Sequence, residues 1–376
     1  MTSRLDVRKV LPSIAAPVVA VIFAFGVTSL ILVVAHEPVL LTWRTVVDIG
    51  AQPRSISLIL NQATTFYLSA LAVAIGFRMN LFNIGVDGQY RLAVFVAAVV
   101  GGELSLPKPL QLAVIVVVAV IVGAFWAGIA AALKVTRGVS EVISTIMLNA
   151  IATVLIAFLL RKVAVPLASS NNIGTKIIGP SGRLAGLDLV PGSPLRVYSL
   201  IVLAALAGVG YSVLLNRTRF GFDLRATGRS ESAAVASGVN VKRMVMISML
   251  LSGAVAGLVG LPVLLGEAYA YSISFPAGLG FTGIAIALLG RNHPVGIAVG
   301  ALLWAYLDVT GNPLQIIAGV SSEIVTVMQG VIVLSVVVAY ELVRRYRLKL
   351  EQRRVGQQNA EAAPSLEPLA LVSRSS

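Results

Sequence analysis

Phe82-Asn83-Ile84-Gly85-Val86-Asp87-Gly88-Gln89 lies between two segments apolar enough to sit in lipid, yet it carries two glycines, a carboxylate and two side-chain amides. In a bilayer each unpaired N–H or C=O costs on the order of several kcal/mol, so a broken helix is tolerated where protein or a water-filled path covers it. Discontinuous helices recur at transporter substrate sites. The stretch therefore reads as a break within a membrane-embedded, all-α chain. Gly85 and Gly88 permit positive φ or close backbone approach, and Asn83, Asp87 and Gln89 offer donors and acceptors to a polar solute or to a neighbouring helix. An Asp at a helix centre costs roughly 2.5 to 3.5 kcal/mol on insertion scales, which asks for a paired or hydrated position. A tight cytoplasmic turn, with Asp87 capping the next span or pairing with Arg78 or Arg91, accounts for the same residues, and chemistry alone leaves both readings open.

The rest of the 376-residue chain agrees with a membrane setting. It is 57% hydrophobic and 12% charged, with a mean hydropathy of +0.91, far from the roughly 25% charged residues of a soluble domain. There is no cysteine, hence no disulfide, thiolate nucleophile or Cys-ligated metal, and His36 and His293 are too few for a histidine-rich site. A net charge of +13 would suggest nucleic acid in a soluble protein. Here the basic residues stand mostly in short connections between apolar runs, the positive-inside pattern of a cytoplasmic face, and no nucleic-acid partner is expected. Arg4, Arg8 and Lys9 precede an apolar run from Ser13 to Ala35. That run is too long for a typical signal-peptide core, so an uncleaved anchor is expected rather than cleavage after Ala35.

Roughly 20 residues cross a 30 Å hydrocarbon core, and on that measure about ten spans are expected. Their approximate limits are 13–35, 56–76, 88–104, 110–133, 139–160, 197–215, 244–265, 278–290, 295–310 and 323–343. With the N-terminus inside, only eight of the 29 Lys and Arg residues fall on the external side, which places both termini in the cytoplasm. The division is then a cytoplasmic N-terminus at 1–12, a transmembrane domain at 13–343 and a disordered cytoplasmic tail at 344–376. Residues 161–196 form a Gly/Pro/Asn-rich external loop and 216–243 a basic cytoplasmic one. The external loop dissents from the charge rule, carrying five basic residues against Asp188.

An ungapped match at an offset of 181 residues joins Gly138–Ile151 to Gly319–Ile332, with seven of fourteen positions identical, among them Thr145 with Thr326 and Met147 with Met328. In the topology above the two copies run in opposite senses. An inverted repeat of two five-helix halves follows, as in transporters whose path lies at the repeat interface.

Within 216–243, Ser230 suits a helix start and Gly238 a helix stop, giving a short amphipathic element that could dock a soluble partner or simply be a solvated charged loop. Ser252 to Gly260 places small residues three and four apart, a pattern for close helix approach. Pro294 suits the first turn of a helix, and His293 before it reads as interfacial. No Walker-type phosphate loop, nucleophile elbow or zinc-protease motif occurs in the chain, so energy for any transport must come from elsewhere.

Four runs in this order resemble the membrane-spanning permease subunits of bacterial ABC importers, in the nucleoside and simple-sugar branch related to ribose and branched-chain amino acid permeases. They are Leu81–Gln89, with Asp87 where the branch has Glu; Glu141–Ala152 (EVISTIMLNAIA); Ala226–Gly260; and Gly280–Gly296 (GFTGIAIALLGRNHPVG). The resemblance covers nearly all of residues 10 to 345. It implies a multi-pass plasma (inner) membrane subunit that pairs with a second permease as a heterodimer. A cytoplasmic ABC ATPase using ATP-Mg and an extracytoplasmic substrate-binding lipoprotein complete the machine, and the chain itself holds no cofactor and is not an enzyme. The family's coupling helix falls on Arg225–Gly238, with Arg225, Gly228, Glu231, Ala233, Ala234 and Gly238 as its expected residues. Where the broader importer motif reads Glu-Ala-Ala this chain reads Glu231-Ser232-Ala233-Ala234, which leaves the part of Glu231 open. Phe82, Asn83, Asp87 and Gln89, with Thr145 and Asn149 from the fifth span, are the expected path-lining or helix-positioning groups.

Nucleoside or sugar import by alternating access is the resulting expectation. An ion-coupled secondary transporter using Asp87, Glu141 or Asp308 is the alternative, and a receptor without transport is a further one.

Overall fold

The computed structural model describes residues 22–167, 172–321, 323–335, 338, 339, 341, 342, 345, 346 and 352. The expected N-terminal segment 1–12, residues 13–21 of the first expected span, Ser322 in the second repeat copy and nearly all of the expected tail lie outside them. The chain divides into a larger unit, His36–Gln329, and a smaller one made of Met1–Ala35 and Gly330–Ser376. The smaller unit's first described element is the apolar helix α1 (Ile22–Val34).

The larger unit is helical almost throughout. Its elements are α2 (Val39–Gly50), α3 (Pro53–Phe77), α4 (Val86–Glu103), α5 (Lys108–Arg137), α6 (Glu141–Val163), α7 (Ile201–Arg217), α8 (Arg219–Arg229), α9 (Glu231–Ala236), α10 (Val241–Leu258), α11 (Leu261–Val263), α12 (Leu279–Leu289) and α13 (Pro294–Ile317). α14 (Glu323–Ser335) begins in this unit. Among the described residues, each window expected to span contains a helix. Five helices among the described residues are long and apolar enough to cross a membrane, or six if the bent pair α7 and α8 counts as one. α4 falls outside that set with Asp87, Arg91 and Glu103 in its eighteen residues.

Two features depart from the sequence reading. α2 has no counterpart among the expected spans, because twelve residues are too few to register as one; it packs on α13, where the Tyr306 hydroxyl donates to the Val46 carbonyl at 2.9 Å. The 161–196 loop begins inside α6, and Val165–Pro166 pairs with Ile173–Gly174 as a two-residue antiparallel hairpin. Its backbone N–H groups at Thr175, Ile178 and Leu184 donate to the carbonyls of Tyr271, Tyr269 and Leu265.

α3 and α5 contrast in burial and hydropathy. The apolar window of α3 is 78% buried at a mean hydropathy of 1.5, whereas α5 is 28% buried at 2.8. The central helix can carry polar residues because protein surrounds it, while α5 and α6 expose one face that only lipid suits. α5 and α10 cross at Gly123, Gly253 and Gly257. A Cβ at Gly257 would overlap the Ala119 carbonyl and one at Gly253 the Gly123 carbonyl, so the small-residue stripe works as the spacing predicts.

Candidate functional site

α3 ends at Phe77 in a left-handed closure. Asn80 has φ 59°, its N–H donates to the Phe77 carbonyl at 3.1 Å, and the Leu81 N–H reaches back to Gly76 at 3.0 Å. This is the Schellman pattern with Asn taking the position usually given to Gly. The chain then crosses Phe82–Gly85 without helix and enters α4 at Val86.

The amides of that crossing satisfy one another. Asn83 Nδ2 donates to Gln89 Oε1 at 3.0 Å and to Ser252 Oγ at 2.8 Å, while Asn83 Oδ1 accepts from Gln89 Nε2 at 2.8 Å and from the Gly85 N–H at 3.1 Å. Ser252 in turn donates to the Ala72 carbonyl at 2.6 Å, which ties α10 to α3. From α6, Asn149 Oδ1 accepts from the Gly88 N–H at 2.8 Å and its Nδ2 donates to the Ile84 carbonyl at 2.9 Å, so a neighbouring helix caps the start of α4. Gly88 is glycine for want of room, since a Cβ there would lie 3.0 Å from the Asn149 Cα. The Thr145 hydroxyl turns back to the Glu141 carbonyl at 2.7 Å.

Asp87 stands on the first turn of α4 and on the first turn of α12 at once. Its Oδ1 accepts from the Gly280 N–H at 3.3 Å, and Arg91 Nη1 lies 3.9 Å from Oδ2. A carboxylate at two helix N-termini is favourably placed against both dipoles. Phe82 sits edge-on to Phe77 with ring centroids 5.1 Å apart, and its N–H donates to Glu141 Oε1 at 3.4 Å, with Lys134 Nζ 2.6 Å from the other carboxylate oxygen. Asn83, Asp87, Gln89, Thr145 and Asn149 are thus all engaged with protein; Thr145 bonds within α6, and the other four tie α3, α4, α6, α10 and α12 together.

The segment expected to couple to a partner forms two helices. α8 turns 74° away from α7, with Thr218 capping its start by accepting from the Gly221 N–H at 3.0 Å. α9 starts at Ser230, whose hydroxyl accepts from the Ala233 N–H at 3.3 Å, and the turn behind it closes at Gly238 with φ 83°. Ala234 is buried beneath α9, whereas Glu231, Ala233 and Val235 face outward, as does Phe222 on α8. Arg225 Nη1 donates to Asn216 Oδ1 at 3.0 Å. Gly228 lies directly on the Arg78 carbonyl, and a Cβ there would be 2.9 Å from the Met79 Cα. Arg78 itself reaches the turn between α12 and α13, where its Nη2 donates to the Asn292 carbonyl at 2.7 Å, a carbonyl also held by the Tyr211 hydroxyl at 2.8 Å.

A cavity of about 810 Å³ opens elsewhere in this unit, among α3, the Tyr198 segment, the 268–282 turn, α13 and α14. None of the expected path residues lines it. Its polar groups include Gln62, Thr65, Glu267, Asp308 and Gln329. Asn61 fixes the wall, with Nδ2 donating to the Arg196 carbonyl at 3.0 Å and Oδ1 accepting from the Tyr198 N–H at 2.7 Å. The Tyr198 hydroxyl donates to Glu267. The signal that could have located this site is the Asn61-Gln62 pair inside an otherwise apolar span, which carries amides where lipid would not accept them. Among the described residues no group of three or more His, Asp or Glu is placed to hold a metal ion.

A family profile described as branched-chain amino acid transport system / permease component matches residues 55–337. The chain belongs to this permease family. It is a multi-pass membrane protein of that family, and similarity extends along the whole length of several members. It is 32% identical over 371 residues to the glucose ABC transporter permease protein TsgB13 of Haloferax volcanii, covering 94% of this chain and 95% of that one. It is 33% identical over 336 residues to the guanosine ABC transporter permease protein NupP of Bacillus subtilis, covering 89% and 96%. With the nucleoside ABC transporter permease protein NupB of Lactococcus lactis it shares 31% identity over 345 residues, covering 89% and 92%. No solved structure matches this permease.

Proposed function

We propose that this permease is the membrane-spanning subunit of an ATP-driven ABC importer for a nucleoside or a simple sugar. The observation that carries the reading is end-to-end similarity to permease proteins named for glucose, guanosine and nucleosides. α8 and α9 support it physically. They form a capped, outward-facing pair carrying exposed Phe222 and Val235, and they rest through Gly228 on the Arg78 turn at the end of the central helix.

In this reading a cytoplasmic ATPase, using ATP-Mg, docks on α8 and α9, a second permease completes the path, and a binding lipoprotein delivers the solute. Motion of the docked segment passes through Gly228 to Arg78, and from there to α3, α4 and the α12–α13 turn. Asn83, Asp87, Gln89, Thr145 and Asn149 act as helix-positioning groups that let these ends move as one body. About ten spans, cytoplasmic termini and an inverted repeat remain part of the proposal. Gly138 and Gly319, the first residues of the two matching segments, both take left-handed φ, 67° and 71°, each following a helix end and preceding the next helix.

Uptake in membrane vesicles holding the complete importer tests the reading. Accumulation of guanosine or D-glucose is expected to require ATP inside the ATPase compartment. Accumulation driven by a proton or sodium gradient with the ATPase absent would overturn it in favour of an ion-coupled carrier.

A further inference from the structure

A second cavity, of about 520 Å³, lies between α3, α7 and α13 and is lined almost wholly by apolar groups. Small residues cut its floor: Ala63 on α3, Ala204 and Gly208 on α7, and Ala298 on α13. The Tyr67 ring lies directly on Gly208, where a Cβ would meet Cζ at 2.9 Å. The Thr64 hydroxyl in the wall is turned back to the Leu60 carbonyl at 2.7 Å. Val209 and Val295, both in the lining, are 61% and 64% exposed. The cavity is therefore a groove, open along a face of bare valines that lipid suits.

Its length matches a lipid chain and one of its ends is basic. On α7 the lining runs from Ile201 to Ser212, about 16 Å at roughly 1.5 Å per residue. That is about half of a 30 Å hydrocarbon core, the depth of one leaflet. One end of the groove lies at Ser212 and Pro294, near the close of α7 and at the first residue of α13. The stretches that frame this mouth, 211–219 and 288–299, contain Arg217, Arg219, Arg291 and His293 and no Asp or Glu. Arg217 and Arg219 are exposed, and among the described residues their side chains make no hydrogen bond or ion pair. Arg217 stands only about 7.5 Å beyond Ser212 along the helix axis.

A groove between spans with basic residues at its mouth is the arrangement that receives an anionic lipid headgroup. We propose that this groove holds one acyl chain of an anionic phospholipid, with the phosphate at Arg217 and Arg219, in the leaflet on the side of α8 and α9. A zwitterionic lipid brings the same chains but sets its own ammonium against those guanidinium groups. The small residues of the floor leave the slot that the chain fills. The proposal does not depend on what the importer carries; it needs only the multi-pass setting that membership of the permease family provides.

Native mass spectrometry of the full-length chain with its partner subunits, released from bilayer discs of equal dioleoylphosphatidylglycerol and dioleoylphosphatidylcholine, tests it. The parent is expected to retain phosphatidylglycerol in preference to phosphatidylcholine. Ala205→Phe fills the groove from an exposed lining position and is expected to lose one retained phosphatidylglycerol per altered chain. Leu206→Phe, at the next position, is exposed but outside the lining, and is expected to keep it. Arg217→Gln is expected to lower the preference for phosphatidylglycerol about fivefold, the worth of one cation at the membrane surface. Val295→Phe, on the opposite rim, gives a second occlusion if Ala205→Phe does not assemble. Equal retention of the two lipids by the parent, or undiminished phosphatidylglycerol in an assembled occluded variant, marks annular lipid only and overturns the proposal. If Ala205→Phe releases a second permease and leaves the retained phosphatidylglycerol unchanged, the groove is a subunit contact and the proposal falls.

Discussion

Gly228 on α8 lies against the carbonyl oxygen of Arg78, the residue that ends the central helix α3. No other side chain fits between them. Arg78 also holds the Asn292 carbonyl, so one residue joins the end of α3 to the turn between α12 and α13 beneath α8.

Replacing Gly228 by alanine forces α8 off the turn. Overpacking of this kind costs about 1–3 kcal/mol. The expected outcome is a lower melting temperature, with solute-stimulated ATP hydrolysis falling further than basal hydrolysis in the reconstituted importer. Equal basal and stimulated rates in mutant and parent would remove Gly228 from the coupling route.

Asn83→Ala strands the Gln89 amide and removes the bond that Ser252 accepts, and an unsatisfied buried amide costs about 1–3 kcal/mol. Ser252→Ala frees only one Asn83 donor and the Ala72 carbonyl. The double mutant is expected to be less destabilised than the sum of the two, because the residues share one network. Thermal unfolding of the four proteins measures the difference.

Gly257→Leu separates α5 from α10 over the Ala119 carbonyl. The expected result is loss of folded protein from the membrane fraction, whereas Gly210→Leu on α7, where a Cβ meets nothing within 4 Å, is expected to express normally. Quantitative immunoblotting of detergent-soluble monodisperse protein distinguishes them.

Cysteine scanning separates bracing groups from accessible ones. Asn83 and Gln89 are each 1% exposed and Phe82 is 44% exposed. A water-soluble maleimide is therefore expected to label the Phe82→Cys variant and to leave Asn83→Cys and Gln89→Cys unlabelled. Reaction at 83 or 89 during turnover would return those positions to the solute path.

Much of the architecture was legible because the relevant chemistry is local. Ser230 and Gly238 announce a helix start and stop, and α9 lies between them; Pro294 announces α13; the glycine stripe after Ser252 announces the close crossing with α5. The site was less legible. The polar residues of Phe82–Gln89 were visible, but their partners Ser252 and Asn149 lie 169 and 61 residues away, so the sequence could not say whether those groups face a solute or each other. Gln62 and Thr65 passed unnoticed because an average over a span dilutes a few amides and hydroxyls among alanines and leucines. α2 escaped for the opposite reason, being apolar but too short.

The burial of α3 bears on how the protein is made. Asn61, Gln62, Thr64 and Thr65 form a polar patch on a helix that leaves the ribosome early, while α7, α10, α12 and α13, which pack around it, are synthesised later. The hydrogen bond from Ser69 to the Leu279 carbonyl closes across 210 residues of chain. Until those later helices arrive, α3 has few native neighbours for its amides, and only marginal hydropathy to hold it in lipid. Insertion of the nascent chain is therefore most vulnerable between the synthesis of α3 and that of α12. A chain truncated before Leu279 should leave α3 open to chaperones and membrane proteases, even though every residue of that helix is present.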